Sequence, residues 1–166
     1  NTVGGPITGR ILNPSFESES SGEFGPITGW TRNSATNGQR GCQAQGTVYP
    51  TISPMPTNGL NYFILFTYWG ATHNVGDFVS VTQTVDFTGA NTLQFDHLNT
   101  VYSGYTWSNN ARAEVRIDGN TIWSASAAGP NVNQSVNVSS YSGTHVLELR
   151  EQVVVAGAFP GAQWVL

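Results

Sequence analysis

The sequence predicts an all-β domain of stacked antiparallel strands, and three observations predict it. No stretch of about eleven residues repeats apolar side chains at the helical spacing i, i+3, i+4, i+7. Short runs of alternating apolar and polar residues recur instead. Between them lie clusters of Gly, Pro, Asn and Ser, the residues that tight turns require. With no helix to cover a parallel sheet, roughly ten short strands of this kind close on one another as an antiparallel sandwich or barrel.

The strands follow in order. A short run at 10–13 is followed by 27–33, which carries Trp30, and by 42–49, which opens at the lone cysteine, Cys42. The most apolar run begins at Tyr62 within 61–69 and is interrupted by Thr67. Segments 78–87, 92–101, 111–118, 121–126, 133–138, 145–154 and 163–166 complete the set. Stretches 33–41 and 50–59 read as long loops inside the domain, the second with three prolines and a glycine. Asp118-Gly119 before Asn120 is a short-hairpin signal, because such turns need positive φ. In 111–118, Ala111, Ala113, Val115 and Ile117 share one face and Arg112, Glu114, Arg116 and Asp118 the other. In 145–151, Leu147 and Leu149 face one way and Glu148 and Arg150 the other. The charged faces read either as a solvated ladder of ion pairs or as a polar surface for hydroxyl-rich ligands. Trp30, Trp123, Trp164, Phe63, Phe66, Phe78, Phe87 and Phe95 read as core.

Composition bounds the function. The 166 residues form one domain, 1–166, in which 1–9 reads as an extended N-terminal arm. Only 10% of residues are charged and the net charge is −4, which argues against a nucleic-acid partner, since that affinity comes from clustered cations. The chain has no lysine, so lysine Schiff-base and P-loop chemistry are excluded; its six basic residues are all arginine. A single Cys42 excludes an internal disulfide and a cysteine-based zinc site. No apolar run approaches the ~18 residues of a membrane-spanning helix. A chain opening at Asn1 without Met reads as a processed or excised one, and its Ser, Thr, Asn, Gln and Gly surface as extracellular. Two N-x-S sequons, at Asn133 and Asn137, are glycan acceptors only in a host with that machinery.

Three segments together carry a resemblance. Asn13-Pro14-Ser15-Phe16-Glu17 is followed after a loop by Gly29-Trp30. Gln83-Thr84-Val85-Asp86-Phe87 leads into Leu93-Gln94-Phe95. Val115-Arg116-Ile117-Asp118-Gly119 is followed by Val138-Ser139-Ser140-Tyr141-Ser142-Gly143-Thr144-His145 and Leu147-Glu148-Leu149. In order and spacing the set resembles galactose-binding-like jelly-roll modules over nearly the whole chain. That resemblance implies a two-sheet antiparallel jelly-roll β-sandwich, an extracellular setting, often a polysaccharide ligand, and often one structural calcium ion. It assigns Glu17 to the metal; the late aspartate that accompanies it in the family would follow Leu166. Glu17 otherwise serves as a strand-end carboxylate.

Catalytic signatures are missing. No Gly-x-Ser-x-Gly elbow and no His-Glu-x-x-His motif occurs, and Glu148-Leu149-Arg150-Glu151 does not supply the paired-carboxylate strand of jelly-roll glucanases. His73, His97 and His145 are far apart and read as structural hydrogen-bonders. Two polar, aromatic-bearing clusters suit sugar stacking: Tyr68-Trp69, and Tyr102, Tyr105 and Trp107 with Asn109. The sequence therefore leads to a non-catalytic carbohydrate-binding module that stacks a glycan on Tyr102, Tyr105, Trp107, Tyr68 and Trp69, rather than to an enzyme. The alternative is a self-associating structural subunit of a surface layer, sheath or filament.

Overall fold

A computed structural model describes residues 10–16, 18, 27–34, 38–44, 61–67, 73–99, 111–127 and 129–156. These hold nine strands and no helix: β1 (Thr31–Ser34), β2 (Gly38–Ala44), β3 (Asn61–Thr67), β4 (Phe78–Asp86), β5 (Thr92–Asn99), β6 (Ala111–Ile117), β7 (Asn120–Ala125), β8 (Gly129–Asn137) and β9 (Thr144–Val153). The expected all-β antiparallel architecture is what forms. A five-stranded sheet runs β1-β4-β9-β6-β7, and β2-β3 and β5-β8 form two further ladders, all antiparallel. No helix among the described residues is long and apolar enough to cross a membrane.

The core follows from strand parity. Val79, Val81 and Val85 of β4, Leu147 and Leu149 of β9, and Ala113, Val115 and Ile117 of β6 point to one side of the five-stranded sheet. There they pack with Leu93 and Phe95 of β5, Phe87, Val138, Trp123, and the N-terminal Phe16, Ile27 and Trp30. Burying a side chain such as Phe87 contributes about 2–3 kcal/mol each. Trp30, Phe87, Phe95 and Trp123 thus join the core as expected, whereas Phe78 lies on the other face beneath the Arg150 guanidinium, 3.7 Å from ring centroid to Cζ.

Several boundaries differ from the sequence reading. Residues 10–13 form turns rather than a strand. Segment 27–33 is split into a bridge between Ile27 and Trp30 and the short β1. The stretch 33–41 holds the ends of β1 and β2 rather than one long loop. The β6–β7 hairpin has the expected two-residue loop: Ile117 pairs with Asn120, and Asp118 and Gly119 have φ of 49° and 79°.

The residues that carry the family resemblance are fold staples. Gln83 Oε1 accepts the Leu12 N–H at 2.8 Å, and its Nε2 donates to Leu12 O at 3.0 Å and Gly29 O at 2.8 Å. Asn13 Nδ2 donates to Thr28 O and its Oδ1 accepts from Ser18 N. Asp118 accepts the Val146 N–H at 2.9 Å and pairs with His145 Nδ1 at 2.6 Å. That bond holds His145 above its ordinary pKa, and the Val146 N–H, then His145, hold Asp118 below its own.

Candidate functional site

Two β-bulges aim side chains into one end of the sandwich. In the β6–β7 ladder Val115 pairs with Trp123 and the next residue, Arg116, pairs with Thr121, so Ile122 is the extra residue. Without it Thr121 and Trp123 would share a face. With it, Thr121 turns outward to Glu114 and Arg116, while Trp123 turns inward beside Phe95 and His97. In the β5–β8 ladder Phe95 pairs with Gln134 and His97 with Asn131. The extra residue on β8 lets Gln134 and Asn131, three apart, both meet interior groups. Asn133, at φ 54°, absorbs the irregularity.

The result is a walled corner. Trp123 stands edge-on to Phe95, centroids 5.0 Å apart at 88°, and to His97, 5.1 Å apart at 69°. Its indole N–H donates to Gln134 Oε1 at 3.0 Å. Asn99 Nδ2 donates to the carbonyls of Ala125 (3.2 Å) and Ala127 (3.0 Å), which turns Asn99 Oδ1 toward His97 Nε2 at 3.0 Å. His97 therefore carries its proton on Nε2, and Nδ1 accepts from Asn131 Nδ2 at 3.2 Å. Burial pulls the His97 pKa down to about 4 against the opposing bond to Asn99, so the ring is neutral at pH 7. With both nitrogens engaged, His97 shapes the wall and moves no proton.

The floor of this corner is the inner face of the five-stranded sheet. One row reads Val79, Glu151, Ala113, Ala125; the next reads Val81, Leu149, Val115, Trp123. Ala111 and Val153 close the far edge. Glu151 is fully buried and is the one buried acidic residue on this face among the described residues. The sequence reading did not place it on this face. The signal was one step further along the alternation already read: Leu147, Leu149, Glu151, Val153 places a carboxyl where an aliphatic side chain is due.

The opposite face of the sheet is closed on itself. Glu114, also fully buried, accepts Arg112 Nε at 2.7 Å on one oxygen, with Arg116 Nε at 2.9 Å and Thr121 Oγ1 at 3.2 Å on the other. Arg150 grips Glu148 through Nε and a terminal nitrogen and donates to Gln152. The ladder of ion pairs forms, but its centre is not solvated, and its carboxylates are committed to neighbours rather than to a hydroxyl-rich ligand.

Tyr68, Trp69, Tyr102, Tyr105, Trp107 and Asn109, and the metal candidate Glu17, lie outside the described residues. Among those described, no group of three or more His, Cys, Asp and Glu side chains converges as a metal site. His73 is buried with Nδ1 3.9 Å from Asp77 Oδ2, and His145 sits in the Asp118 clasp; neither enters the corner around Trp123.

No protein-family model matches the sequence, and no curated protein matches it. Among solved structures the chain is similar to a Stig cyclase, Fisc from Fischerella sp. TAU, in complex with (3Z)-3-(1-methyl-2-pyrrolidinylidene)-3H-indole. The TM-score is 0.55 at 17% identity, over 93% of this chain and 92% of that one. At this identity the likeness shows the fold. It corrects two expectations: the non-catalytic carbohydrate-binding module, with its structural-subunit alternative, and the exclusion of enzymes. The fold matched over nearly its whole length is that of a cyclase with a small ring compound bound.

Proposed function

We propose that this protein is a β-sandwich enzyme of small-molecule chemistry. It binds a flat, indole-like ring compound at the interior corner of Trp123, Phe95 and His97 and carries out cyclase-type chemistry on it. The observation that carries the reading is the inward turn of Trp123 at a bulge, in a fold shared with a cyclase solved with an indole compound. Bulges re-aim side chains next to active sites. An aromatic wall with a few fixed polar groups is how small-ligand sites are built. The finer assignment to galactose-binding-like jelly rolls is part of the same proposal, supported by the staples at Asn13, Gln83 and Asp118. So are an extracellular setting and a calcium ion with Glu17 among its ligands, which metal analysis of the purified protein tests.

Calorimetric titration with the neighbour's indole compound tests the central reading. Saturable binding that weakens at least tenfold in Trp123→Ala is expected. Absence of binding, or equal binding by the variant, overturns it. Cyclisation within one molecule conserves mass, so turnover is read by a shift in chromatographic retention at unchanged mass.

A further inference from the structure

We infer that the outer face of the five-stranded sheet carries a second binding site, formed by Arg112 and Arg116, for a small, multiply charged oxyanion of the phosphate class. The inference stands on that face alone and is independent of the ring site around Trp123.

The charge balance of the face is the first observation. Arg112, Glu114 and Arg116 of β6 share it with Glu148 and Arg150 of β9, in a register that sets Glu114 across from Arg150 and Arg116 across from Glu148. Three guanidiniums therefore accompany two carboxylates, in a chain whose net charge is −4. Arg150 and Glu148 close on each other: Nε and Nη2 donate to Glu148 Oε1 at 3.0 and 2.9 Å, and Nη1 donates to Gln152. That leaves Glu114 shared by Arg112, on Oε1, and Arg116, on Oε2. Arg116 Nη1 is 3.9 Å from Glu148 Oε2, beyond hydrogen-bond length. The next carboxylate along β6, Asp118, is taken by His145 and the Val146 N–H. One positive charge is left over, and it lies between Arg112 and Arg116.

The second observation is the set of donors left unused. A guanidinium carries donors on all three of its nitrogens. Arg112 uses Nε and Nη2, both on Glu114. Arg116 uses Nε, on Glu114 and Thr121. Among the described residues, nothing accepts a hydrogen bond from Arg112 Nη1 or from either terminal nitrogen of Arg116.

The third is where solvent reaches. The Glu114 side chain is fully buried, whereas those of Arg112 and Arg116 are 43% and 22% exposed. An incoming anion therefore meets the guanidiniums and not the carboxylate between them. Held through Nε by Glu114, both planar groups are fixed before binding, so less side-chain freedom is lost when a ligand arrives. Because the two arginines take opposite oxygens of one carboxylate, an anion that meets both needs oxygens pointing two ways. Chloride has a single centre. Phosphate and diphosphate groups have several oxygens and more than one charge, and they pair with guanidinium forks bidentately.

Titration of the protein with inorganic pyrophosphate, followed by the arginine Nε–H signals in NMR, tests the site, with sodium chloride at matched ionic strength as the comparison. Saturable shifts at Arg112 and Arg116 are expected, with pyrophosphate bound at least threefold more tightly than inorganic phosphate and no saturation by chloride. Arg112→Gln is expected to weaken pyrophosphate binding at least tenfold. Arg10, which bonds the Asp86 and Thr88 carbonyls at the end of β4, carries the same charge away from this pair. Arg10→Gln is therefore expected to bind within twofold of wild type. The wild-type titration needs no variant to fold. Shifts confined to other arginines, or the same unsaturated drift with pyrophosphate and chloride, overturn the site. So does an equal loss in Arg10→Gln and Arg112→Gln, because the effect then belongs to the overall charge.

Discussion

Thr121 and Trp123, two residues apart on one strand, face opposite sides of their sheet. Thr121 bonds Glu114 on the outer face, and Trp123 bonds Gln134 in the interior. The bulge at Ile122 that separates them is what puts an indole ring against Phe95 and His97.

Replacing that ring separates its two contributions. Trp123→Phe keeps an aromatic edge toward Phe95 but loses the bond to Gln134, and is expected to destabilise by about 1 kcal/mol. Trp123→Ala removes the wall itself and is expected to cost about 3 kcal/mol. Urea denaturation with unchanged slope checks both values.

The neutral state of His97 gives a pH dependence with a definite sign. Its pKa lies near 4 in the folded protein, against an ordinary value of 6.5. Between those values the unfolded chain binds a proton that the folded protein excludes, so stability falls as pH drops through that window. The full loss is about 3 kcal/mol. Denaturation midpoints measured at pH 7, 5.5 and 4 are expected to decline more steeply in wild type than in His97→Gln, which lacks this proton. Parallel declines contradict the assignment.

His145 acts in the opposite sense. Its pKa is raised by Asp118, so the clasp it adds is present below its unfolded pKa and fades as pH rises through the folded one. His145→Ala is expected to lose stability at pH 6 and to converge on wild type at pH 9. An NMR titration of the His145 ring signals that shows a midpoint below that of a free histidine contradicts the clasp.

Gln83 holds Leu12 and Gly29 by three side-chain bonds from a buried position. Gln83→Leu leaves those backbone groups unpaired and is expected to cost about 3 kcal/mol, with faster hydrogen exchange at the Leu12 amide. Gly29→Ala attacks the same junction. At φ 81° a Cβ there would meet the Leu12 Cβ at 2.9 Å, so this variant is expected to be destabilised as well.

The same contacts explain what could be read from sequence. The Asp118-Gly119 hairpin was legible because positive φ is a local demand with a local signature. The alternation on β6 and β9 was legible because the two strands keep an unbroken register with each other, so Ala111–Ile117 and Leu147–Arg150 alternate regularly between faces. Residues 10–13 read as a strand, yet the Gln83 side chain takes both backbone groups of Leu12, the role a neighbouring strand would play. The corner around Trp123 was hidden for a similar reason. Alternation alone puts Thr121 and Trp123 on one face, and only pairing with β6 reveals the extra residue between them. Phe78 was misread as core because aromaticity outweighed parity: one position before the inward Val79, it can only face outward.

The measurement that tests the central claim most directly is a crystal structure of this protein grown with the indole compound bound by its structural neighbour. The account predicts a flat ring between the sheets, in contact with Trp123 and Phe95. A ring seated on the Arg112–Arg150 face, or no ring at saturating ligand, would contradict it.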